Sequence, residues 1–390
     1  MKEERLLNFI EYKNGRAHEN FVSKHGEYIL VNSKFISSEG MSIKKFLKTS
    51  QYYQKNTITL VLSDIPNGKA LAKTFIIPKD NTYALNQRIA GLTIKKGIDL
   101  HFINKTINRN PYFLRLDDGI NQTNLNINQI KNMRFYTTDI SEQQKIGKLL
   151  DQISNLITLE QSKLNKLKQL KQTLLQKCSQ MVIQKVPRIR FEGFEGEWEE
   201  EKLEEIGQTY TGLSGKTKKI FGHGNSRYIT YLNIFNNPIA NLKGLDRIEE
   251  DRKQNSVKYG DIFVTTSSEI PEEVGITSIW PFKDKENIYL NSFCFGIRLN
   301  NINNYYINFL AYNLRNNELR KDIVLLAQGI SRFNISNRRF MKLNILLPNI
   351  SEQQKIGDFF SNIDTLINLY NSKLNKLKQI KEGLLQKMFV

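Results

Sequence analysis

The sequence predicts an α+β protein with a pseudo-twofold internal repeat: two mixed α/β blocks at opposite ends of a long antiparallel two-helix coiled coil. Three observations lead to this fold class. A stretch of 37 residues occurs twice in the chain of 390, its apolar residues follow a heptad spacing, and the rest of the chain contains short β-rich runs. The length leaves room for two or three domains.

The repeat is clearest in the heptapeptide SEQQKIG, which occupies 141–147 and again 351–357. The segments 141–177 and 351–387 are identical at 24 of 37 positions without a gap. The same register continues upstream, because GINQTNLNI aligns with GISRFNISN, and it then fades. The chain is therefore a tandem repeat in which a divergent block precedes a nearly constant tail.

Each tail is predicted to be a long helix. Its apolar residues recur at alternating steps of four and three, as in a heptad seam, and the series is interrupted by Glu160 and Lys171 in the first copy and by Lys381 in the second. We expect this seam to form the coiled-coil and partner interface through Ile153, Ile157, Leu164, Leu167, Leu174, Ile363, Ile367, Leu374, Leu377 and Leu384.

The helix starts and the width of the apolar stripe are also readable. Ser141 with Gln144, and Ser351 with Gln354, have the spacing of a capping box. Further apolar residues widen the stripe beyond a two-stranded seam, so a helix of another chain could cover them; the alternative is packing on the chain's own blocks. These residues are Leu149, Leu156, Leu170 and Leu175.

Two nearly identical helices in one chain are expected to pair with each other. An antiparallel pair would place the blocks at opposite ends, as in a homodimer made from one polypeptide. The predicted segments are block one at 1–140, the central helix at 141–186, an acidic linker and lead-in at 187–205, block two at 206–350 and the C-terminal helix at 351–390.

Both blocks are predicted to contain short strands. The runs at 56–63 and 259–268 are β-rich and end in small polar residues. The runs at 83–95 and 288–300 each contain a Leu-Asn pair followed by an apolar strand. This correspondence extends the repeat into the divergent blocks.

The charge distribution favours two surfaces for a polyanion. The chain has 57 basic and 39 acidic residues, a net charge of +18. Block one has 21 basic and 12 acidic residues and block two has 19 and 12, whereas residues 191–205 between them contain eight glutamates and one lysine. Two basic blocks separated by an acidic linker are consistent with nucleic-acid binding, and also with a generally basic protein.

Loops rich in Asn, Lys and Arg supply the candidate DNA contacts. Arg332 is placed in the loop before the last strand, where it could bind a guanine in bidentate fashion, or else contact a phosphate or form a salt bridge. The candidates are Lys13, Asn14, Arg16, Arg88, Gln122 and Asn124 in block one, and Lys216, Lys218, Lys219, Arg332, Asn334, Arg338 and Arg339 in block two.

The sequence indicates no catalytic residue and no metal site. YTGLSGKT resembles a P-loop, but Tyr210 stands where that motif needs glycine, and NPYF lacks the second proline of an amino-methyltransferase motif because Tyr112 replaces it. The four histidines are scattered. Two separate cysteines, no apolar run long enough for a membrane and no signal peptide lead us to expect a cytoplasmic protein without membrane contact.

The sequence resembles the specificity subunit of type I restriction–modification systems. The resemblance rests on the doubled SEQQKIG helix, the linker VPRIRFEGFEGEWEEEKL and the run GISRFNISNRRFMKLNILLPNISEQQKIG. It covers nearly the whole chain. In one departure, no Pro-x-x-Arg-Phe-x-Gly-Phe lead-in precedes block one, which opens near the point equivalent to residue 201.

The resemblance implies that each block is a target-recognition domain for one half of a bipartite site in double-stranded DNA. The paired helices would dock two methylation subunits, and restriction subunits would join them. S-adenosylmethionine, ATP and Mg would be bound by those partners and no cofactor by this chain, which is not itself an enzyme. The rival interpretation is a stand-alone sequence-specific DNA-binding protein without enzymatic partners.

Overall fold

A computed structural model describes residues 2–17, 23, 25–47, 51–179, 181–183, 185–215, 217–283 and 287–389. The chain forms two compact units. Unit 1 comprises Met1–Gln161 and Ser372–Val390, and unit 2 comprises Ser162–Asn371. Each unit therefore contains one block and a part of both long helices. Among the described residues, no helix is long and apolar enough to cross a membrane.

Unit 1 combines two small sheets with short helices. Its strands are β1 (Lys2–Arg5), β2 (Ile10–Asn14), β3 (Tyr28–Val31), β4 (Lys45–Phe46), β5 (Ile58–Val61), β6 (Ser63–Asp64), β7 (Thr74–Ile76), β8 (Tyr83–Leu85), β9 (Ile89–Ile94), β10 (Thr123–Asn124) and β11 (Arg134–Thr137). Its α-helices are α1 (Ser33–Ser37), α2 (Leu100–Ile107), α3 (Pro111–Leu114), α4 (Ile127–Lys131), the start of α5 (Ile140–Ser179) and the end of α11 (Ile350–Phe389).

The strand order of unit 1 is β2-β9-β5-β7 in an antiparallel sheet and β4-β3-β8 in a mixed sheet, where β3 and β8 are parallel. Two further pairs, β1 with β11 and β6 with β10, complete the unit. The core lies between the larger sheet and α2, where Ile58, Leu60 and Phe102 are buried.

Unit 2 is built from the equivalent elements. Its strands are β12 (Met181–Ile183), β13 (Val186–Pro187), β14 (Glu199–Lys202), β15 (Gly207–Thr211), β16 (Phe221–Ile229), β17 (Leu245–Ile248), β18 (Ile262–Thr265), β19 (Ser267–Ser268), β20 (Thr277–Ile279), β21 (Ile288–Leu290), β22 (Cys294–Leu299), β23 (Phe333–Asn334) and β24 (Asn344–Leu347). Its helices are α6 (Leu203–Ile206), α7 (Tyr231–Asn236), α8 (Ile307–Asn313), α9 (Asn317–Leu325), α10 (Asn337–Phe340) and most of α11 (Ile350–Phe389), together with the end of α5.

Every strand pairing of unit 1 recurs in unit 2. The sheets are β15-β22-β18-β20 and β17-β16-β21, again with one parallel pair, and β14 pairs with β24 and β19 with β23. This recurrence confirms the predicted α+β class and the internal repeat, including the parts where sequence identity has faded. Because β1 and β14 hold the same place, Lys2 corresponds to Glu199, which lies near the expected point at residue 201.

The long helices begin one residue before SEQQKIG. The carboxylate of Asp139 accepts a hydrogen bond from the Glu142 N–H at 3.0 Å, and the Asn349 side chain accepts the same bond from Glu352 at 3.0 Å. Both are good N-cap residues. The predicted capping boxes at Ser141 and Ser351 are therefore wrong, because these serines already lie inside the helices.

A glutamine of the heptapeptide fastens each helix to its own block. In unit 1 the Gln143 side chain accepts a hydrogen bond from the Asp99 N–H at 2.8 Å and donates one to the Thr138 carbonyl at 2.7 Å. In unit 2 the Gln353 side chain accepts from the Tyr306 N–H at 2.9 Å and donates to a backbone carbonyl at 2.9 Å. Both glutamines are buried. A buried amide without hydrogen-bond partners would destabilise the fold, and these bonds supply the partners.

The glycine of the heptapeptide allows a close approach. A Cβ on Gly147 would lie 2.9 Å from the Phe102 backbone nitrogen, and a Cβ on Gly357 would lie 2.6 Å from the Phe309 nitrogen. At such distances a side chain could fit only if the backbone of the packed helix moved, and such a shift would destabilise the fold. SEQQKIG is therefore repeated because it forms the joint between each helix and its block.

Within each unit, segments of the two long helices run antiparallel. In unit 1 the Lys373 ammonium lies 3.1 Å from the buried Glu160 carboxylate, and Leu384 packs near the helix start on the core that contains Leu150. In unit 2 Lys171 forms an ion pair with Asp364. Glu160 and Lys171, which interrupt the heptad, thus lie within the interface as members of ion pairs.

The remaining heptad positions are at least half-covered. Leu164, Ile363 and Leu374 are buried, and the other seven are half-buried: Ile153, Ile157, Leu167, Leu174, Ile367, Leu377 and Leu384. Of the residues that widen the stripe, Leu175 packs on the core of unit 2, whereas three remain exposed, namely Leu149, Leu156 and Leu170.

The central helix is shorter than predicted. It ends at Ser179, and β12 and β13 then form a hairpin before the lead-in, so the predicted helical segment to residue 186 is wrong at its end. In the lead-in, the Arg190 guanidinium binds both oxygens of the fully buried Glu352 carboxylate at 2.8 and 2.7 Å. The equivalent Glu142 of unit 1 is exposed.

Two identical substitutions on the same helix should have opposite effects. Gly357→Ala should lower the free energy of unfolding by about 1–3 kcal/mol, because the added methyl group meets the backbone of Phe309. Gly383→Ala, where a Cβ has nothing within 4 Å, should raise it by about 0.5–1 kcal/mol through helix propensity. Urea unfolding of both variants provides the measurement, and a neutral Gly357→Ala would contradict the close-approach argument.

Candidate nucleic-acid interface

The predicted contact residues of block one converge on one margin of unit 1, called here polar edge 1. Hydrogen bonds join the segments that carry them: Asn14 donates to the Gln87 carbonyl at 3.4 Å, and the Leu62 N–H donates to the Arg88 carbonyl at 2.9 Å. Next to Leu62, the Gln122 side chain donates to the Ser63 hydroxyl. The predicted members are all exposed: Lys13, Asn14, Arg16, Arg88, Gln122 and Asn124.

A glycine shapes each edge. A Cβ on Gly15 would lie 2.2 Å from the Asn86 carbonyl oxygen, and a Cβ on Gly212 would lie 2.1 Å from the Asn291 carbonyl oxygen. Both asparagines are buried, and Asn291 also donates to the Ile229 carbonyl at 3.0 Å. The asparagines of the Leu-Asn pairs seen in the sequence therefore pack directly against the glycines of KNGR and TGL.

Unit 2 presents the equivalent margin, polar edge 2. The Arg332 guanidinium donates to the Ser267 hydroxyl at 3.1 and 3.3 Å, as Gln122 does to Ser63 in unit 1. The two pairs hold the same place, because β23 pairs with β19 as β10 pairs with β6. Asn334 is exposed beside Arg332 and corresponds to Asn124. Two side chains of different type are thus each held by the equivalent serine of their own unit.

The other candidates of block two are less closely grouped. Lys219 is exposed in the short 3-10 helix Lys218–Ile220. Lys216 lies outside the described residues, and so does the side chain of Lys218. Arg338 and Arg339 are exposed on α10, the element that follows the edge. The position given for Arg332 needs correction: it precedes the short β23, and the last strand, β24, comes only after α10.

Tyr53 supports the basic end of polar edge 1. Its hydroxyl donates to the Asn14 carbonyl at 3.2 Å, and the Lys13 ammonium lies 5.5 Å from its ring centre. Burial raises the pKa of Tyr53 to about 12, so the phenol keeps its proton at neutral pH and continues to donate. The ring also attracts the lysine by a cation–π interaction.

Arginines brace the loop beside each edge. Arg109 donates to the carbonyls of Gly68 and Leu71 at 3.3 and 3.1 Å, and Arg320 donates to those of Val274 and Gly275 at 2.7 and 2.9 Å. Burial lowers the pKa of Arg320 to about 10, which leaves it charged at neutral pH. These residues, like Ser63, Ser267 and Tyr53, were missed in the sequence, because only folding brings them to the edge.

Two basic, polar edges on duplicated α+β scaffolds are typical of proteins that bind nucleic acid through two domains. The chain belongs to the family described as Type I restriction modification DNA specificity domain, whose profile matches residues 1–169 and again 195–379. The two matches correspond to the two repeats and confirm the resemblance seen in the sequence.

One relative agrees with this assignment. The chain is 26% identical over 201 residues to the MjaX type I restriction enzyme specificity subunit of Methanocaldococcus jannaschii. The match covers 50% of this chain and 45% of that protein, so this chain spans less than half the length of that relative.

Two solved structures share the fold. A crystal structure of a type I restriction–modification S subunit from M. genitalium has a TM-score of 0.64 at 16% identity, covering 100% of this chain and 96% of that one. A structure from work on complex assembly and conformational transition of a type I system has a TM-score of 0.57 at 15% identity, covering 99% and 96%.

Proposed function

We propose that this chain is the DNA-recognition subunit of a type I restriction–modification complex and has no catalytic activity of its own. Each unit reads one half of a bipartite site in double-stranded DNA through its polar edge. Two methylation subunits bind S-adenosylmethionine and methylate an adenine in each half-site, and restriction subunits that use ATP and Mg join them. The observation that carries the proposal is one scaffold built twice with different side chains on its two edges.

The differences between the edges suit two different half-sites. Gln122 and Arg332 hold the same place, and a glutamine amide pairs with adenine whereas an arginine pairs with guanine in the major groove. Phe293 of unit 2 occupies the place of Arg88 in unit 1. The two positions are equivalent because the backbone carbonyl of each accepts a hydrogen bond from the N–H of Leu62 or Thr266, which hold the same place in the two units. The scaffold is thus constant while the groups that can contact bases change.

The helices offer equal docking faces to two copies of one partner. In unit 1, Leu156 and Leu159 on α5 and Ile380 on α11 are exposed. In unit 2 the equivalent residues Leu366 and Leu369 on α11 and Leu170 on α5 are exposed as well. We call each set of three an apolar triplet. Repeated exposure of large apolar residues favours a protein partner, and equal triplets favour two identical ones.

The proposal is tested by assaying the purified chain with and without a methylation subunit encoded in the same genome. Alone, the chain should bind DNA and transfer no methyl group. With the partner, adenine methylation should appear at one bipartite sequence, mapped by single-molecule sequencing. Sequence-specific binding without any methylation in the mixture would favour the stand-alone DNA-binding protein.

Arg332→Ala should change which DNA is recognised. If the guanidinium pairs with a base, discrimination at one position of one half-site should fall by about 1–3 kcal/mol, and the other half-site should be unaffected. Binding titrations with single-base variants of the mapped site measure this. Ser331→Ala in the same loop serves as the control. An equal loss on every sequence would instead identify a phosphate contact.

Leu366→Ser combined with Leu369→Ser should weaken binding of the methylation subunit at least about tenfold, because two apolar anchors are lost from the triplet of unit 2. DNA binding by the chain alone should stay unchanged. Leu242→Ser with Leu325→Ser, two exposed leucines outside the long helices, is the matched control. Sedimentation of the mixtures provides the readout, and unchanged association of the triplet variant would place the partner elsewhere.

A further inference from the structure

The loop that carries Gln122 in unit 1 and Arg332 in unit 2 also holds an isoleucine out in solvent. Ile120 is 79% exposed and Ile330 is 98% exposed. Each directly follows a glycine with positive φ, Gly119 at 71° and Gly329 at 141°. A large apolar residue kept exposed at the same point of two divergent repeats suggests that a partner covers it.

In unit 1 the loop is held in one conformation. The Asp117 carboxylate accepts a hydrogen bond from the Gly119 N–H at 3.0 Å and one from the Thr123 hydroxyl at 3.1 Å. The Asp118 carboxylate accepts bonds from the N–H groups of Ile120 and Asn121, both at 2.9 Å. These bonds fix the backbone on both sides of Ile120 in a conformation that leaves its side chain exposed.

In unit 2 a different set of contacts gives the same result. The backbones of Gln328 and Asn334 exchange two hydrogen bonds, at 2.9 and 2.8 Å, which close a tight hairpin. A Cβ on Gly329 would lie 2.0 Å from the Arg332 carbonyl oxygen, so only glycine fits there. Ile330 lies at the tip of this hairpin. Two different sequences thus keep an isoleucine exposed at the same point of the repeat, which points to a shared role.

The neighbours of each isoleucine indicate the kind of partner. Two residues further on, Gln122 or Arg332 is oriented by a serine, and Asn124 or Asn334 is exposed beside it. Such side chains suit the edges of bases in the major groove of DNA. The main apolar group on those edges is the C5-methyl of thymine, which apolar side chains contact.

We propose that Ile120 and Ile330 are specificity-determining residues that each contact a thymine C5-methyl group, at the base pair next to the one read by Gln122 or Arg332. The inference rests on the proposed function and deepens it. In this arrangement every half-site contains a thymine beside the base read by the serine-held side chain. The apolar triplets of the long helices serve protein partners, and the loop isoleucines serve DNA.

The test removes the methyl group from either side of the contact. The full chain is assembled with its methylation subunit, and binding to the mapped site is compared with binding to the same site carrying uracil for thymine in one half. For the wild type, uracil should weaken binding roughly three- to fivefold, the effect of losing one buried methyl group. Ile330→Ala should weaken binding to the thymine site by a similar or larger factor and should no longer distinguish uracil from thymine.

Leu325→Ala is the matched control. Leu325 is 81% exposed at the end of α9. Its counterpart in unit 1 is Arg115, so an exposed apolar side chain is not repeated at this point. This variant should retain the full uracil effect. Ile120→Ala, tested with uracil in the other half-site, repeats the experiment in unit 1.

Each remaining outcome contradicts the inference. If Ile330→Ala still distinguishes uracil from thymine, or if the mapped half-site lacks a thymine beside the discriminated base, the inference fails while the proposed function stands. If Ile330→Ala instead loses the methylation subunit and binds DNA normally as a free chain, the loop contacts protein. If the wild-type complex shows no sequence preference at all, the proposed function fails together with the inference.

Discussion

The close approach of each long helix to its own block is the constraint on which the rest of the structure depends. Gly147 and Gly357 let a helix pass against the first turn of α2 or α8 at a distance that no side chain permits. Gln143 and Gln353 then saturate the backbone groups buried by that approach. The joint fixes the direction in which each helix leaves its block, and therefore which residues face the second helix.

The helix interface is symmetric in its apolar positions and asymmetric in its charges. Within unit 2, Lys171 pairs with Asp364, whose counterpart in the first helix is Ser154. Within unit 1, Lys373 pairs with Glu160. The residue of the second long helix that corresponds to Glu160 is Tyr370. The lysines belong to the constant sequence and the acids to divergent positions. Buried charges are costly unless they are paired, so these pairs favour one register of the two helices over shifted ones.

The edges show how a scaffold can change its exposed side chains without changing its fold. The glycines at the turns let the backbone approach closely, and buried asparagine and arginine side chains donate hydrogen bonds to its carbonyls. Exposed side chains on that backbone contribute little to stability, and their replacement is tolerated. The exposed groups can therefore differ between the two units while the joint and the helices stay nearly identical.

The sequence alone determined the repeat, the long helices and the family, because heptad spacing and a 24-residue identity over 37 positions are local signals in one dimension. It did not determine the true caps at Asp139 and Asn349, the end of the central helix at Ser179, or the ion pairs of Glu160 and Lys171. Only the tertiary structure decided that Ser63 and Ser267 hold Gln122 and Arg332, because these partners are 59 and 65 residues apart in the chain. Contacts of that kind follow from strand pairing, which composition and spacing do not specify.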